Sequence, residues 1–386
     1  MKILHVISSV NPVGGGPIEG VKQIATLLEG QGHHIEVASL DHPAAPFVEE
    51  CPLRVHPLGP TSSKYAFSSR FVPWLRANRS RYDAVVVNGI WQYHSFGAWR
   101  ALRHSDTPYV LYPHGMLDPW FKKKYPLKHL KKWLYWPWAD YRVLRDASAV
   151  LFTCEEECRL ARDSFWLYRC NEVVVNYGTS RPHGDAGLQR EEFLSRYPEL
   201  RGKRLALFMG RVHPKKGCDL VIESFARVLG SNPDWHLLIA GPDQVGWQKY
   251  LSNRTAQLGV ESRVTWTGMI TGAEKWGALH SAEVFLLPSH QENFGIAVAE
   301  ALAAGVPTLI SNKVNIWREI LADGAGMVSD DTLEGACSTL RSYNDMPTEE
   351  RTIMRQAARA CFDRRFEITT AARSLQTVLS NFSGVN

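Results

Sequence analysis

The 386 residues, 45 % apolar and 22 % charged, are enough for two domains that each bury a core, and their mild net charge of +5 favours anionic ligands without making nucleic acid the expected partner. The seven cysteines are odd in number and include no Cys-x-x-Cys pair, which argues for reduced thiols over a disulfide framework or a zinc motif. No stretch reaches the ~18 uninterrupted apolar residues of a membrane-spanning helix.

The chain opens on a strand, Lys2 to Ser8. Its apolar run is too short for a signal peptide and is broken by His5. Asn11 to Gly20 follows, with Gly14, Gly15 and Gly16 permitting close backbone approach and Pro17 suited to a first helical turn. A helix to about Gly30 leads to a second strand, His34 to Leu40, ending at Asp41. Gly14, Gly16 and Gly20 fit a loose dinucleotide fingerprint, with Asp41 for a ribose, but a purely structural tight turn is the readier reading of the two. Further strands at Ala84–Asn88, Tyr109–Tyr112 and Ala149–Thr153 alternate with helical stretches, as in a parallel sheet. His114, in Pro113-His114-Gly115, stands at the C-terminal end of one of them, where ligands bind in such sheets.

Residues 120–138 carry six lysines and seven aromatics, and no acid follows until Asp140. Leu127, Leu130 and Leu134 fall at helical spacing, so the expected buried face is leucine and the exposed one Lys128, Lys131 and Lys132. Two readings stand: a partly buried aromatic helix with a solvated basic side, or a helix lying at the headgroups of an anionic membrane.

Val173 to about Gly187 runs from a strand into turn residues and marks a domain crossing. The alternation then restarts. Arg204–Met209 is a strand, and Gly210-Arg211-Val212-His213-Pro214-Lys215-Lys216-Gly217 places an Arg and a Lys five apart at a strand-to-helix turn, a spacing suited to a diphosphate. Strands at His236–Gly241 and Val264–Gly268 come next. Val284–Leu287 leads into His290–Gly305, where Glu292 precedes an Ala-rich helix and Glu300 lies about one turn inside it. Free N–H groups and the helix dipole suit a phosphate at that tip, flanked by carboxylates that accept from hydroxyls.

Glu292-x7-Glu300, Gly210-Arg211 with Lys215-Lys216-Gly217, Pro113-His114-Gly115 and the Gly14–Gly16 loop together resemble retaining GT-B glycosyltransferases, particularly glycosyltransferase family 4. The resemblance implies an α/β chain of two Rossmann-like domains facing across a central cleft. Residues 1–180 would bind acceptor and 181–365 the nucleotide-sugar, while 366–386 would form a C-terminal helix crossing back to the first domain. The implied catalytic set is His114, Glu292, Arg211 and Lys216. Donor contacts would come from Gly15, Gly16, Arg211, Lys216, Glu292, Asn293, Phe294, Gly295, Ile296 and Glu300, and acceptor contacts from Asp118 and Glu19. With no Asp-x-Asp in the chain, the two basic side chains take the place of a divalent ion, so neither metal nor cofactor is expected.

The expected reaction moves a hexose to an acceptor hydroxyl with retention, in cell-surface or exopolysaccharide biosynthesis. UDP-glucose ranks first among donors and GDP-mannose second, on family frequency alone. The expected partners are this donor and a sugar or lipid-linked glycan acceptor. The expected location is cytoplasmic, with peripheral contact on the inner face of the membrane through residues 120–138. The rival classes are a nicotinamide oxidoreductase, a sugar-nucleotide epimerase and a non-catalytic sugar-nucleotide or membrane-binding protein.

Overall fold

The computed structural model describes residues 1–61 and 63–383, without the side chain of Lys123; that lysine's side chain and residues 384–386 of the expected C-terminal segment therefore lie outside the described residues. The chain divides into two units, one formed by residues 1–178 with the helix Ile368–Ser383, the other by Thr179–Glu367.

The first unit is built on seven parallel strands: β1 (Lys2–Ile7), β2 (His34–Ser39), β3 (Arg54–Pro57), β4 (Ala84–Asn88), β5 (Tyr109–Tyr112), β6 (Ala149–Phe152) and β7 (Glu172–Val174), in the order β3-β2-β1-β4-β5-β6-β7. Strands such as Val85-Val86-Val87 are buried on both faces, which is why they read as unbroken apolar runs. The C-terminal helix belongs here. Its Ala371, Ala372 and Leu375 share a core with Ile18, Val21 and Ile24 of the helix Gly16–Gly30.

The second unit repeats the plan with six parallel strands: β8 (Arg204–Met209), β9 (Trp235–Ala240), β10 (Val264–Gly268), β11 (Ala282–Leu287), β12 (Thr308–Ser311) and β13 (Gly326–Ser329), in the order β10-β9-β8-β11-β12-β13. The strand order reverses between β1 and β4 in the first sheet and between β8 and β11 in the second, so each has its crevice at the C-terminal ends of those pairs. The edge strands β3 and β13 escape sequence reading because each is four residues long and lacks an apolar run, the former carrying Arg54, His56 and Pro57.

One expectation is reversed. The helix Pro126–Tyr135 buries none of its residues fully, and its leucines face outward: Leu127 is 79 % exposed, Leu130 55 % and Leu134 61 %. The inward side is held instead by His129, stacked on Phe165 at 4.9 Å, and by Lys132, whose Nζ lies 4.4 Å over the Trp91 ring. Just beyond the helix the fully buried Trp136 stacks on Phe165 and donates from Nε1 to the Leu167 carbonyl at 2.6 Å. Aromatic rings from elsewhere in the unit thus capture the polar side, and periodicity within the helix cannot reveal those partners.

Candidate functional site

In the second unit, the loops that leave β8 and β11 lie against each other. Gly217 adopts φ +68°, and a Cβ there would come within 2.4 Å of the Pro288 carbonyl oxygen, so only glycine permits the approach. The His290 N–H donates to the Lys215 carbonyl at 2.9 Å and ties the two loops together. The Glu292 backbone is held from its other side: its N–H donates to Lys313 O at 2.9 Å and its carbonyl accepts from Asn315 N–H at 3.0 Å.

These anchors bring the Lys216 ammonium into contact with the Glu292 carboxylate, with both side chains largely buried. Burial pulls the Lys216 ammonium down to about 7, with the charges of Lys215 and Arg211 adding to the effect; the Glu292 carboxylate opposes that pull. Arg211 is exposed and donates to Gln244 Oε1 at 3.4 Å. His213 accepts the Lys215 N–H at 3.0 Å, and burial beside Arg211, Lys215 and Lys216 lowers its basicity.

Gly295, at φ +80°, turns the chain into the helix Ile296–Ala303, whose N-terminus has no side-chain cap. The Phe294 ring is buried and meets Phe366 edge-on at 5.6 Å, which leaves its backbone as the part able to serve a ligand. The Asn293 side-chain oxygen accepts from Asn315 Nδ2 at 3.4 Å. Glu300 is buried one turn into the helix and is bound by Lys275 Nζ at 2.6 Å. Lys275, on the helix Gly272–Ser281 that follows β10, was not singled out from the sequence; a lone lysine on a polar helix carries no local signal.

The first unit gathers a different set at the ends of β1, β4 and β5. His114 takes a left-handed φ of +49°, stacks on Tyr112 at 5.3 Å and meets Tyr177 edge-on at 6.1 Å. Its Nε2 lies 3.2 Å from Asn88 Oδ1, and Asn88 Nδ2 lies 3.3 Å from His5 Nδ1. Burial lowers His114 to about 4, with His5 and His94 contributing, so the ring is neutral near pH 7 and suited to hydrogen bonding more than to ferrying a proton. The next residue is tied down by Glu157, whose Oε1 accepts the Gly115 N–H at 2.6 Å.

The other predicted positions in this unit are less convergent. Gly15 sits at φ +77° with open space where a Cβ would be, and the Gly16 carbonyl accepts from the Tyr177 hydroxyl at 3.3 Å. Glu19 is exposed on its helix and accepts from Gln23 Nε2 at 3.3 Å. Asp118 accepts the Trp120 N–H at 2.8 Å, a bond that starts the helix Trp120–Lys124.

Comparison with known proteins identifies the family of both units. Residues 15–178 match the family described as glycosyl transferase 4-like domain, and residues 189–360 match glycosyl transferases group 1. A GDP-mannose-dependent alpha-(1-6)-phosphatidylinositol dimannoside mannosyltransferase of Mycobacterium tuberculosis is 26 % identical over 311 residues, covering 79 % of this chain and 74 % of the relative. A lipopolysaccharide core biosynthesis mannosyltransferase of Rhizobium meliloti is 26 % identical over 203 residues, and that match spans 47 % of this chain and 57 % of the relative. Among solved structures, the Anabaena protein HepE in complex with UDP-glucose superimposes with a TM-score of 0.77 at 18 % identity, over 99 % of this chain and 100 % of that one.

Proposed function

This chain belongs to the GT-B glycosyltransferases of family 4 type, and we propose that it moves a hexose from a nucleoside diphosphate sugar to an acceptor hydroxyl, with retention and without a metal ion. The observation that carries the proposal is the meeting of Lys216 with Glu292 beside the uncapped N-terminus of the helix Ile296–Ala303.

The acceptor oxygen bonds to the anomeric carbon as the bond from that carbon to the diphosphate oxygen breaks. The acceptor proton passes to the departing phosphate oxygen on the same face, leaving a glycoside and a nucleoside diphosphate. Lys216, Arg211 and the helix tip near Ile296 neutralise the charge that builds on the leaving group. Glu292, released from Lys216 when the diphosphate arrives, orients the sugar with the backbone N–H groups of Asn293, Phe294 and Gly295. Glu300 holds the ribose. The first unit supplies the acceptor side, with His114 as a neutral hydrogen-bonding group and Asp118 and Glu19 as further acceptor contacts, while Gly15 and Gly16 let backbone approach the donor.

Family frequency by itself puts UDP-glucose ahead of GDP-mannose. The GDP-mannose dependence of the Mycobacterium relative supports GDP-mannose as the first choice, and its phosphatidylinositol dimannoside supports a lipid-linked acceptor. UDP-glucose is kept as the second reading because the Anabaena protein of the same fold binds it. Nucleotide release from a panel of UDP-, GDP- and ADP-sugars, with and without chelator, tests both parts. GDP release from GDP-mannose that persists in chelator is expected, and strict dependence on a divalent ion would overturn the metal-free mechanism.

A further inference from the structure

A soluble amphipathic helix turns its apolar side to the core, and Pro126–Tyr135 does the reverse. Its docked side is His129 and Lys132, continued by Trp136, while Leu127, Leu130 and Leu134 project on the opposite side. Just beyond the helix Trp138 is 69 % exposed, and the Trp133 ring lies 6.1 Å from that of Trp166, itself 65 % exposed. Leaving so many large apolar side chains of one segment in water marks an interaction site.

Charge identifies the occupant. Every Asp or Glu is absent between Asp118 and Asp140, whereas six lysines fall in that interval. Of these, Lys122, Lys124, Lys128 and Lys131 are exposed. A second copy of the chain docking through the same face would set lysines against lysines, which disfavours a self-interface. A surface that is apolar within and negatively charged at its boundary satisfies both halves of the patch.

We infer that this helix docks on an anionic lipid bilayer. Leu127, Leu130, Leu134 and Trp138 enter the boundary of the acyl chains, and the exposed lysines meet lipid phosphates. The helix lies flat in the headgroup layer, since its ten residues span only about 15 Å and its opposite side is committed to the protein. The inference goes beyond the donor chemistry and is tested by binding alone, so its failure would leave the transfer reaction untouched.

The test is co-sedimentation of the whole protein with vesicles of phosphatidylcholine, with or without phosphatidylglycerol. Binding to the anionic vesicles is expected to exceed that to the neutral ones roughly tenfold or more and to fall with added salt. Replacing Lys128→Gln and Lys131→Gln together should weaken it by about fivefold per lysine. Leu130→Gln with Leu134→Gln should abolish it while the melting curve stays unchanged, because both side chains are exposed. Equal binding to both vesicle types, no binding, or wild-type affinity in the leucine variant would each overturn the inference. So would a wild-type dimer in solution that the leucine variant converts to monomer, which would reassign the face to self-association.

Discussion

The Lys216 ammonium and the Glu292 carboxylate, carried by loops from two neighbouring strands of one sheet, are in contact with each other. Each is the other's counter-charge, so a diphosphate entering there exchanges one anion for another at Lys216. Glu292 is thereby freed for sugar hydroxyls at little electrostatic cost, because the diphosphate takes its place as the counter-charge of the ammonium.

Removing either partner should therefore silence transfer. Lys216→Ala and Glu292→Ala are each expected to lower kcat by about 10²–10³-fold, the usual loss when a group that stabilises developing charge is deleted. Initial rates of nucleotide release, read beside a thermal melt, check this; near-normal turnover in either folded variant would remove the pair from the mechanism.

Donor binding should take up a proton above neutrality. Lys216 is lowered from 10.5 to about 7 by burial, so between those values the unfolded chain holds more protons than the folded one, and this group's contribution to stability rises with pH across that window. A bound diphosphate favours the charged ammonium, so the donor KM should climb as pH rises past 7. Calorimetric titration at pH ~8 in buffers of different ionisation enthalpy should find net proton uptake in the wild type and none in Lys216→Met. Absence of uptake in the wild type would mean that Glu292 already keeps the lysine charged.

Asp140 should weaken the fold at alkaline pH. Its side chain is fully buried, Oδ2 has no hydrogen-bond partner among the described residues, and burial raises the carboxyl from 3.8 to about 7. The folded chain then binds more protons than the unfolded one between those values, so this group's contribution falls as pH rises through them. Asp140→Asn is expected to gain on the order of 3 kcal/mol at pH ~8 relative to pH ~4.5. Urea unfolding at both pH values measures it, and an identical pH dependence in the variant would contradict the assignment.

Lys275 should act through Glu300. The 2.6 Å contact holds that carboxylate in place without engaging the leaving group. Lys275→Met is thus expected to raise the donor KM about tenfold, equivalent to ~1.4 kcal/mol, with kcat little changed. A donor lacking the ribose hydroxyls should bind weakly and respond little to Glu300→Gln. If that donor were as sensitive as the normal one, Glu300 would not be a ribose contact.

The two parallel sheets were legible because strands such as β4 and β8 are buried on both faces and announce themselves as Val- or Leu-rich runs between helical stretches. The positions of Arg211, Lys216, Glu292 and Glu300 were legible for a related reason: each lies within a few residues of a strand end or helix start, where glycines mark tight turns. The Gly217 approach to Pro288 could not be read, since its partner stands 71 positions away. The same holds for Lys275, whose partner is 25 residues on and whose own surroundings are unremarkable.

Local order in this chain is thus set by short-range pattern: apolar runs make the strands, glycines and prolines make the turns between them, and the lysine-rich stretch after Pro119 has the period of a helix. Which face of that helix meets the protein was settled only by folding. Trp91 and Phe165 arrive from distant parts of the first unit and offer π-faces to Lys132, His129 and Trp136, and those contacts outcompete burial of three leucines. The period of a helix states how its residues are grouped, and the choice of the side to bury belongs to whatever surface the rest of the chain brings up against it.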